Sequence, residues 1–156
     1  MPVTVEQVHE VLDPIEPDYS RVSELGNEAL PHLQALVEAD DSLLAAKATY
    51  AASLLADEGA APILERAARS AEPTVRVAAA AALRNLSAQA ATPALRHVLE
   101  DEDRGVRAKA LSSMPAGVAQ NVLTVVETIA RSDPDPGVSA IARETLEQRR
   151  SAQSNG

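Results

Sequence analysis

The side chains that most often carry enzyme chemistry are few and scattered in this sequence. His32 and His97 are not separated by a whole number of the 31-residue steps that relate other parts of the chain, so we do not expect them to share a metal ion. Ser112 and Ser113 have no histidine at an equivalent position. Cysteine is absent, which excludes thiolate catalysis, and the six glycines are dispersed rather than gathered in a phosphate-binding loop. We therefore predict no catalytic residue, no metal site and no cofactor; the chain is not expected to be an enzyme.

Carboxylates are many, and they collect in the short segments between apolar stretches. We call these residues the acidic row: Asp40, Asp41, Asp101, Glu102, Asp103, Asp133 and Asp135. Side chains of this type cap the helices that follow them and pair with the helix dipole. Capping is the favoured interpretation, and loose cation binding by the row is the alternative.

Internal repetition organises the chain. Two sets of residues recur at a step of 31 or 32: Pro31, Pro62 and Pro93, and Leu44, Val75, Val106 and Val138. The stretch from Pro73 to Leu86 shows the pattern best, because its apolar side chains follow the period of one helix face and are almost all small. Each unit therefore predicts two helices joined by a short acidic or proline-containing turn.

These units resemble a known family. The stretch LGNEALPHL, an acidic turn and the pattern VRxxAxxxL are similar to the HEAT repeat, especially the short form called PBS-lyase HEAT-like. The VR dipeptide occurs in the second and third units, whereas the first and last units carry Leu44-Ala45 and Val138-Ser139. The resemblance covers roughly residues 20 to 147 and implies an α-α superhelix.

Composition agrees with an all-α solenoid. Apolar residues make up 46% of the chain but aromatic residues only 1%, so the core must consist of thin, alanine-rich layers. We predict one domain over 1–147 with about four helix pairs and a short N-terminal cap. The cap covers 1–25, the repeats cover 26–55, 57–86, 87–114 and 115–147, and residues 148–156 form a flexible tail that frays from about Arg149.

Net charge and hydropathy limit the possible partners and locations. The formal charge of −9 and the pI of about 4.8 make nucleic acid an unlikely partner. No apolar run approaches the ~18 residues of a membrane span, and the first residues lack the pattern of a signal peptide. We expect a cytoplasmic, prokaryotic protein. The many arginines and few lysines leave both a high-GC bacterium and a halophile open as sources.

The cations supply the candidate binding surface. If the second helix of each pair lines the concave face, that face combines cations, one tyrosine and small residues. The predicted partner-binding residues are Lys47, Tyr50, Val77, Ala81, Arg84, Lys109, Ser112 and Arg143. Tyr50 either anchors a partner or packs against Tyr19 in the cap. The resemblance gives Arg76 and Arg107 a different role, that of a ladder pairing with turn carboxylates of an adjacent unit.

The favoured function is a non-enzymatic interaction module or scaffold that binds another protein or peptide with an acidic segment on the concave face. The resemblance also suggests two alternatives. One is a bilin lyase-like protein that handles a chromophore, and the other is a nucleic-acid-binding HEAT domain. Self-association through the open ends of the stack is a further possibility.

Overall fold

The computed structural model describes residues 2–155, and for Asp57 it describes the backbone alone. These residues form ten α-helices and no strand, which confirms the predicted all-α solenoid. The helices are α1 (Val5–Leu12), α2 (Ser20–Leu25), α3 (Leu30–Val37), α4 (Ser42–Ala52), α5 (Asp57–Ala67), α6 (Pro73–Ala82), α7 (Ala88–Leu99), α8 (Arg104–Ser112), α9 (Gln120–Ser132) and α10 (Pro136–Ser154).

Four antiparallel pairs make up the stack: α3–α4, α5–α6, α7–α8 and α9–α10. We call α3, α5, α7 and α9 the leading helices, and α4, α6, α8 and α10 the second helices. The second helices contact one another more extensively than the leading helices do. We call the exposed surface of the second helices the inner face, since closer packing on one side favours bending of a stack toward that side.

Alanine permits this close packing. On α4 and α6, buried alanines face the neighbouring helices, where larger side chains would hold the backbones apart. The side chains that fill the remaining volume are buried leucines and valines such as Leu33, Leu64, Leu83 and Leu95. The helical pattern from Pro73 ends one turn earlier than its sequence suggests, since α6 tightens into a 3-10 turn over Leu83–Asn85.

Acidic caps start most of the second helices. Asp41, Asp103 and Asp135 each accept hydrogen bonds from two backbone N–H groups at the start of the next helix. Glu72 occupies the same position before α6 and makes no such bond, but Pro73 follows it at the first helical position. Thr4 caps α1 in a reciprocal arrangement with Gln7.

The C-terminal helix differs from the predicted flexible tail over 148–156. Helix α10 continues to Ser154, because the Arg149 guanidinium donates hydrogen bonds to the carbonyl oxygens of Met114 and Pro115 at 3.2 and 3.0 Å. These bonds tie the last turns of α10 to the link between α8 and α9. Even α10 is too polar to cross a bilayer, and no other helix of the described chain is suited to do so.

Candidate functional site

Arg76 joins two adjacent repeats along the edge where the inter-helix turns lie. Its Nε and Nη2 donate to the Asp101 carboxylate at 2.8 and 3.3 Å, and its Nη1 donates to the carbonyl oxygens of Ser70 and Ala71. The guanidinium therefore connects its own turn to the turn of the next repeat. Arg76 and Asp101 are each only 8% exposed, so they form a buried ion pair whose charged groups are hydrogen-bonded.

Arg107 repeats the arrangement one unit later. Its Nε and Nη2 both lie 2.8 Å from the Asp133 carboxylate, and its Nη1 donates to the carbonyl oxygens of Asp101 and Glu102. The hydrogen bonds from Arg107 hold the pKa of Asp133 below its usual range, against the opposing effect of burial. We call the pairs Arg76–Asp101 and Arg107–Asp133 the rungs.

The rungs stop where the repeat residues change. In the last repeat Ser139 takes the arginine position, and its Oγ donates to the carbonyl oxygen of Asp133. In the first repeat Ala45 takes that position, and Ser70 stands where Asp101 stands one unit later. The first and second repeats thus meet without a rung. A cavity of about 550 Å³ lies between their turns, and one of about 530 Å³ lies at the Arg76–Asp101 rung.

The inner face carries cations that no carboxylate neutralises. Arg84 donates to the carbonyl oxygen of Ala81 and, through Nη2, to Ser113 Oγ at 3.2 Å in the next repeat. Lys109 lies one helical turn before Ser113, so the two cations occupy neighbouring parts of the surface. No salt bridge joins either of them to an acid in the described chain.

Lys47 and Arg143 lie in the first and the last repeat, and Arg143 lines a pocket between α9 and α10 with Glu127 and Glu147. Lys47 Nζ donates to the carbonyl oxygen of Pro14 at 2.8 Å, and Arg143 Nη1 donates to that of Ala130 at 3.1 Å. Helices α4, α6 and α8 contain no acidic residue, whereas α10 contains Glu144 and Glu147. Arg143 is therefore the least isolated of the four cations, since Glu147 follows it by one helical turn.

The side chains between the cations on this surface are small. Val77 and Ala81 are half-buried on α6, and Ser112 is exposed near the end of α8, where its Oγ donates to the carbonyl oxygen of Lys109. These three residues leave the backbones of the second helices open to close approach. A partner segment would meet a smooth floor rather than a deep cavity.

Tyr50 belongs to the N-terminal cap rather than to this floor. Its ring packs against that of Tyr19 with centroids 4.9 Å apart and planes tilted by 60°. Burial raises the pKa of Tyr19. The sequence leaves two roles open for Tyr50, partner anchor and packing residue. In the structure Tyr50 packs against Tyr19, because the segment before α2 folds back onto α4.

Two exposed apolar residues were not predicted from the sequence pattern. Leu43 is 60% exposed on the first turn of α4, and Ile15 is 94% exposed in the loop between α1 and α2. Leu43 could have been found by register, because the equivalent residues in later repeats are Thr74, Gly105 and Gly137. Nothing in the sequence pattern distinguishes Ile15 from a core residue.

His32 and most members of the acidic row make structural bonds. His32 Nε2 lies 2.9 Å from the carbonyl oxygen of Val3. Within the acidic row, Asp41, Asp103 and Asp135 cap helices, and the other partnered members form rungs. Among the residues that the structure describes, no group of three histidine or acidic side chains could hold a metal ion.

Comparison with known proteins agrees with this architecture. No curated protein matches the chain. A family model described as HEAT repeats matches residues 60–147, which is more than half of the chain and includes both rungs. The match begins in α5 and ends in α10, so it spans the three repeats that carry the second helices α6, α8 and α10. The chain belongs to the HEAT-repeat family.

Proposed function

We propose that this chain is a non-enzymatic interaction module that binds an acidic segment of another protein on its inner face. HEAT repeats are in general scaffolds for protein interactions. The proposal adds a surface and a chemistry to that general role. The surface consists of Arg84 and Lys109, with Lys47 and Arg143 at its two ends and Val77, Ala81 and Ser112 between them.

One observation carries the proposal: α4, α6 and α8 contain no acidic residue, and neither Arg84 nor Lys109 forms a salt bridge in the described chain, although Glu144 on α10 lines a pocket with Ser112. The chain has 23 acidic residues against 14 lysines and arginines. Six other cations in the described chain form salt bridges; for example, Arg66 contacts Glu38 at 2.7 Å, Arg69 contacts Glu65 at 3.6 Å, and Arg104 contacts Asp135 at 3.1 Å. A carboxylate supplied by a partner would neutralise the pair that the chain leaves open.

The net negative charge does not prevent such binding. At physiological ionic strength the Debye length is about 8 Å, so distant carboxylates on the leading helices are largely screened from a ligand on the inner face. Exposed ion pairs contribute only about 0.2–1 kcal/mol each. Several such contacts together with the apolar floor are therefore needed, which favours an extended acidic segment over a single carboxylate.

Capture of partners from the native lysate tests the proposal. Wild type is compared with the double variant Arg84→Glu/Lys109→Glu and with the control Arg66→Glu/Arg96→Glu, which makes the same change of net charge on exposed positions of leading helices. We expect wild type and the control to retain the same dominant protein at about 0.15 M salt and to lose it near 1 M salt, where the Debye length is about 3 Å.

The double variant on the inner face should lose that protein at both ionic strengths. Retention by Arg84→Glu/Lys109→Glu at the level of the control would remove the inner face from the interaction. Circular dichroism of each variant shows whether the fold is kept, which is the expected result because Arg66, Arg84 and Arg96 are exposed and Lys109 is only half-buried.

A further inference from the structure

Exposed large apolar side chains are rare among the described residues, and two of them lie near Lys47 in the N-terminal part of the stack. Among the described residues, the large apolar side chains that remain exposed are Val5, Ile15 and Leu43. Lys47 connects the last two. It follows Leu43 by one turn of α4, and its Nζ bonds to the carbonyl oxygen of Pro14, the residue before Ile15.

Stacking of the repeats does not require a leucine at position 43. The later repeats carry Thr74, Gly105 and Gly137 at the equivalent position, and each of them is exposed as well. Comparison of the repeats thus indicates that the fold does not require a large apolar side chain at this position. A leucine in this register adds an apolar surface to the first repeat alone.

The loop that carries Ile15 is held in place before any partner arrives. Prolines 14 and 17 restrict its backbone, Lys47 holds the Pro14 carbonyl oxygen, and Asp18 accepts hydrogen bonds from the backbone N–H and hydroxyl of Ser20. A restrained loop loses little conformational entropy on binding. Ile15 is nevertheless outside the core, so its side chain has no role in folding that the structure shows.

The two ends of the surface carry opposite charges, which would orient a bound segment. Asp13 and Glu16 flank Ile15 and are exposed, so carboxylates of a partner are repelled at this end. Arg84, Lys109 and Arg143 attract them at the other end. An acidic segment with a bulky apolar residue at one end matches both halves of the surface.

We infer that Leu43 and Ile15 form an apolar subsite beside Lys47, and that it receives a bulky apolar residue at one end of the acidic partner segment. This inference rests on the proposed function and adds the direction of binding. Neighbouring packed helices lie about 8–10 Å apart. The surface from α4 to α10 therefore spans on the order of 30 Å, the length of a helix of about 20 residues.

Two synthetic peptides test the subsite directly. Both have about 20 residues and the same composition of leucine, glutamate and alanine, but one has its leucines at one end and the other has them evenly spread. Fluorescence anisotropy at about 0.05 M salt gives the dissociation constant of each peptide with wild type, Leu43→Thr/Ile15→Thr and Arg84→Glu/Lys109→Glu. Val5→Thr is the matched control, because Val5 lies at the opposite end of α1 from Pro14.

We expect wild type and Val5→Thr to bind the end-leucine peptide about tenfold more tightly than the spread peptide. Leu43→Thr/Ile15→Thr should abolish that preference and leave the affinity for the spread peptide unchanged. The single variant Leu43→Thr, which introduces the residue of the next repeat, should lose part of the preference.

Each contrary result has a distinct meaning. If Leu43→Thr/Ile15→Thr keeps the tenfold preference while Arg84→Glu/Lys109→Glu loses both peptides, the subsite is wrong and the basic inner face stands. If wild type binds neither peptide, the proposed function fails and the subsite fails with it. If Val5→Thr also loses the preference, the effect belongs to general hydrophobicity and not to this subsite.

Discussion

Arginine side chains have opposite environments at the turn edge, where the inter-helix turns lie, and on the inner face. At the turn edge, Arg76 and Arg107 are buried, each pairs with a carboxylate, and each also bonds to two carbonyl oxygens. On the inner face, Arg84 is exposed and bonds only to neutral oxygens. A cation that the chain itself neutralises holds the repeats together, and one that it leaves open is available to a partner.

Register also distinguishes Arg84 from the arginines of the rungs. Arg76 and Arg107 occupy the same position of successive repeats, as do their partners Asp101 and Asp133. Arg84 instead corresponds to Ser53 in the previous repeat. A residue that stacking requires must recur with the stack, because each repeat contacts its neighbours in the same way. Arg84 does not recur in this way, and Lys109 recurs only in part, because Lys47 occupies its position two repeats earlier but Ala78 occupies it in the repeat between.

The largest expected difference between the two regions concerns stability. Arg107→Met leaves Asp133 buried without its partner, and we expect the free energy of unfolding to fall by about 3 kcal/mol, as for other broken buried ion pairs. Urea denaturation followed by circular dichroism measures it. The variant Arg107→Met/Asp133→Leu removes both charges and should recover much of the loss. A loss below about 0.5 kcal/mol for Arg107→Met would show that the rung does not hold the stack.

A new rung can be built where the first two repeats lack one. Ala45→Arg/Ser70→Asp places the two missing groups at the positions of Arg76 and Asp101, next to a cavity of about 550 Å³. Each single change introduces an unpaired charge near a buried site and should destabilise. The double variant should recover about 1–2 kcal/mol of coupling free energy in a double-mutant cycle. Additive single effects would mean that this interface cannot adopt the rung geometry.

Acid should weaken the turn edge selectively. The pKa of Asp133 is lowered in the folded state, chiefly by its hydrogen bonds from Arg107. A lowered folded pKa contributes stability above the unfolded value near 4, and this contribution is lost as pH falls through the folded pKa. The stability advantage of wild type over Asp133→Asn should therefore shrink by about 1 kcal/mol between pH 6 and pH 2.

The variant Arg107→Met/Asp133→Leu provides the control for this titration, since it lacks both charged groups of the rung. Its free energy of unfolding should fall less than that of wild type over the same range of pH. If the Asp133→Asn difference stays flat, the Arg107–Asp133 pair does not depend on the charge of the carboxylate.

Features that recur with the repeat could be predicted from the sequence, and those that do not recur could not. The 31-residue step predicts the helix pairs because apolar periodicity is local, and the family resemblance adds the arginine ladder. The contacts of Lys47 and Tyr50 depend on how residues 14–19 fold back onto α4, which no repeat pattern encodes. The extra turns of α10 similarly depend on Arg149 reaching carbonyl oxygens more than thirty residues earlier in the chain.

The smallest expected effect on stability concerns the cations of the inner face, Arg84 and Lys109. Arg84→Ala and Lys109→Ala should each change the free energy of unfolding by no more than about 0.5 kcal/mol, because neither side chain pairs with a carboxylate and Arg84 bonds at an exposed position. The same urea denaturation used for Arg107→Met measures both variants. A loss near that of Arg107→Met would make Arg84 or Lys109 a structural residue. The absence of a carboxylate partner would then no longer argue that the inner face awaits an acidic segment.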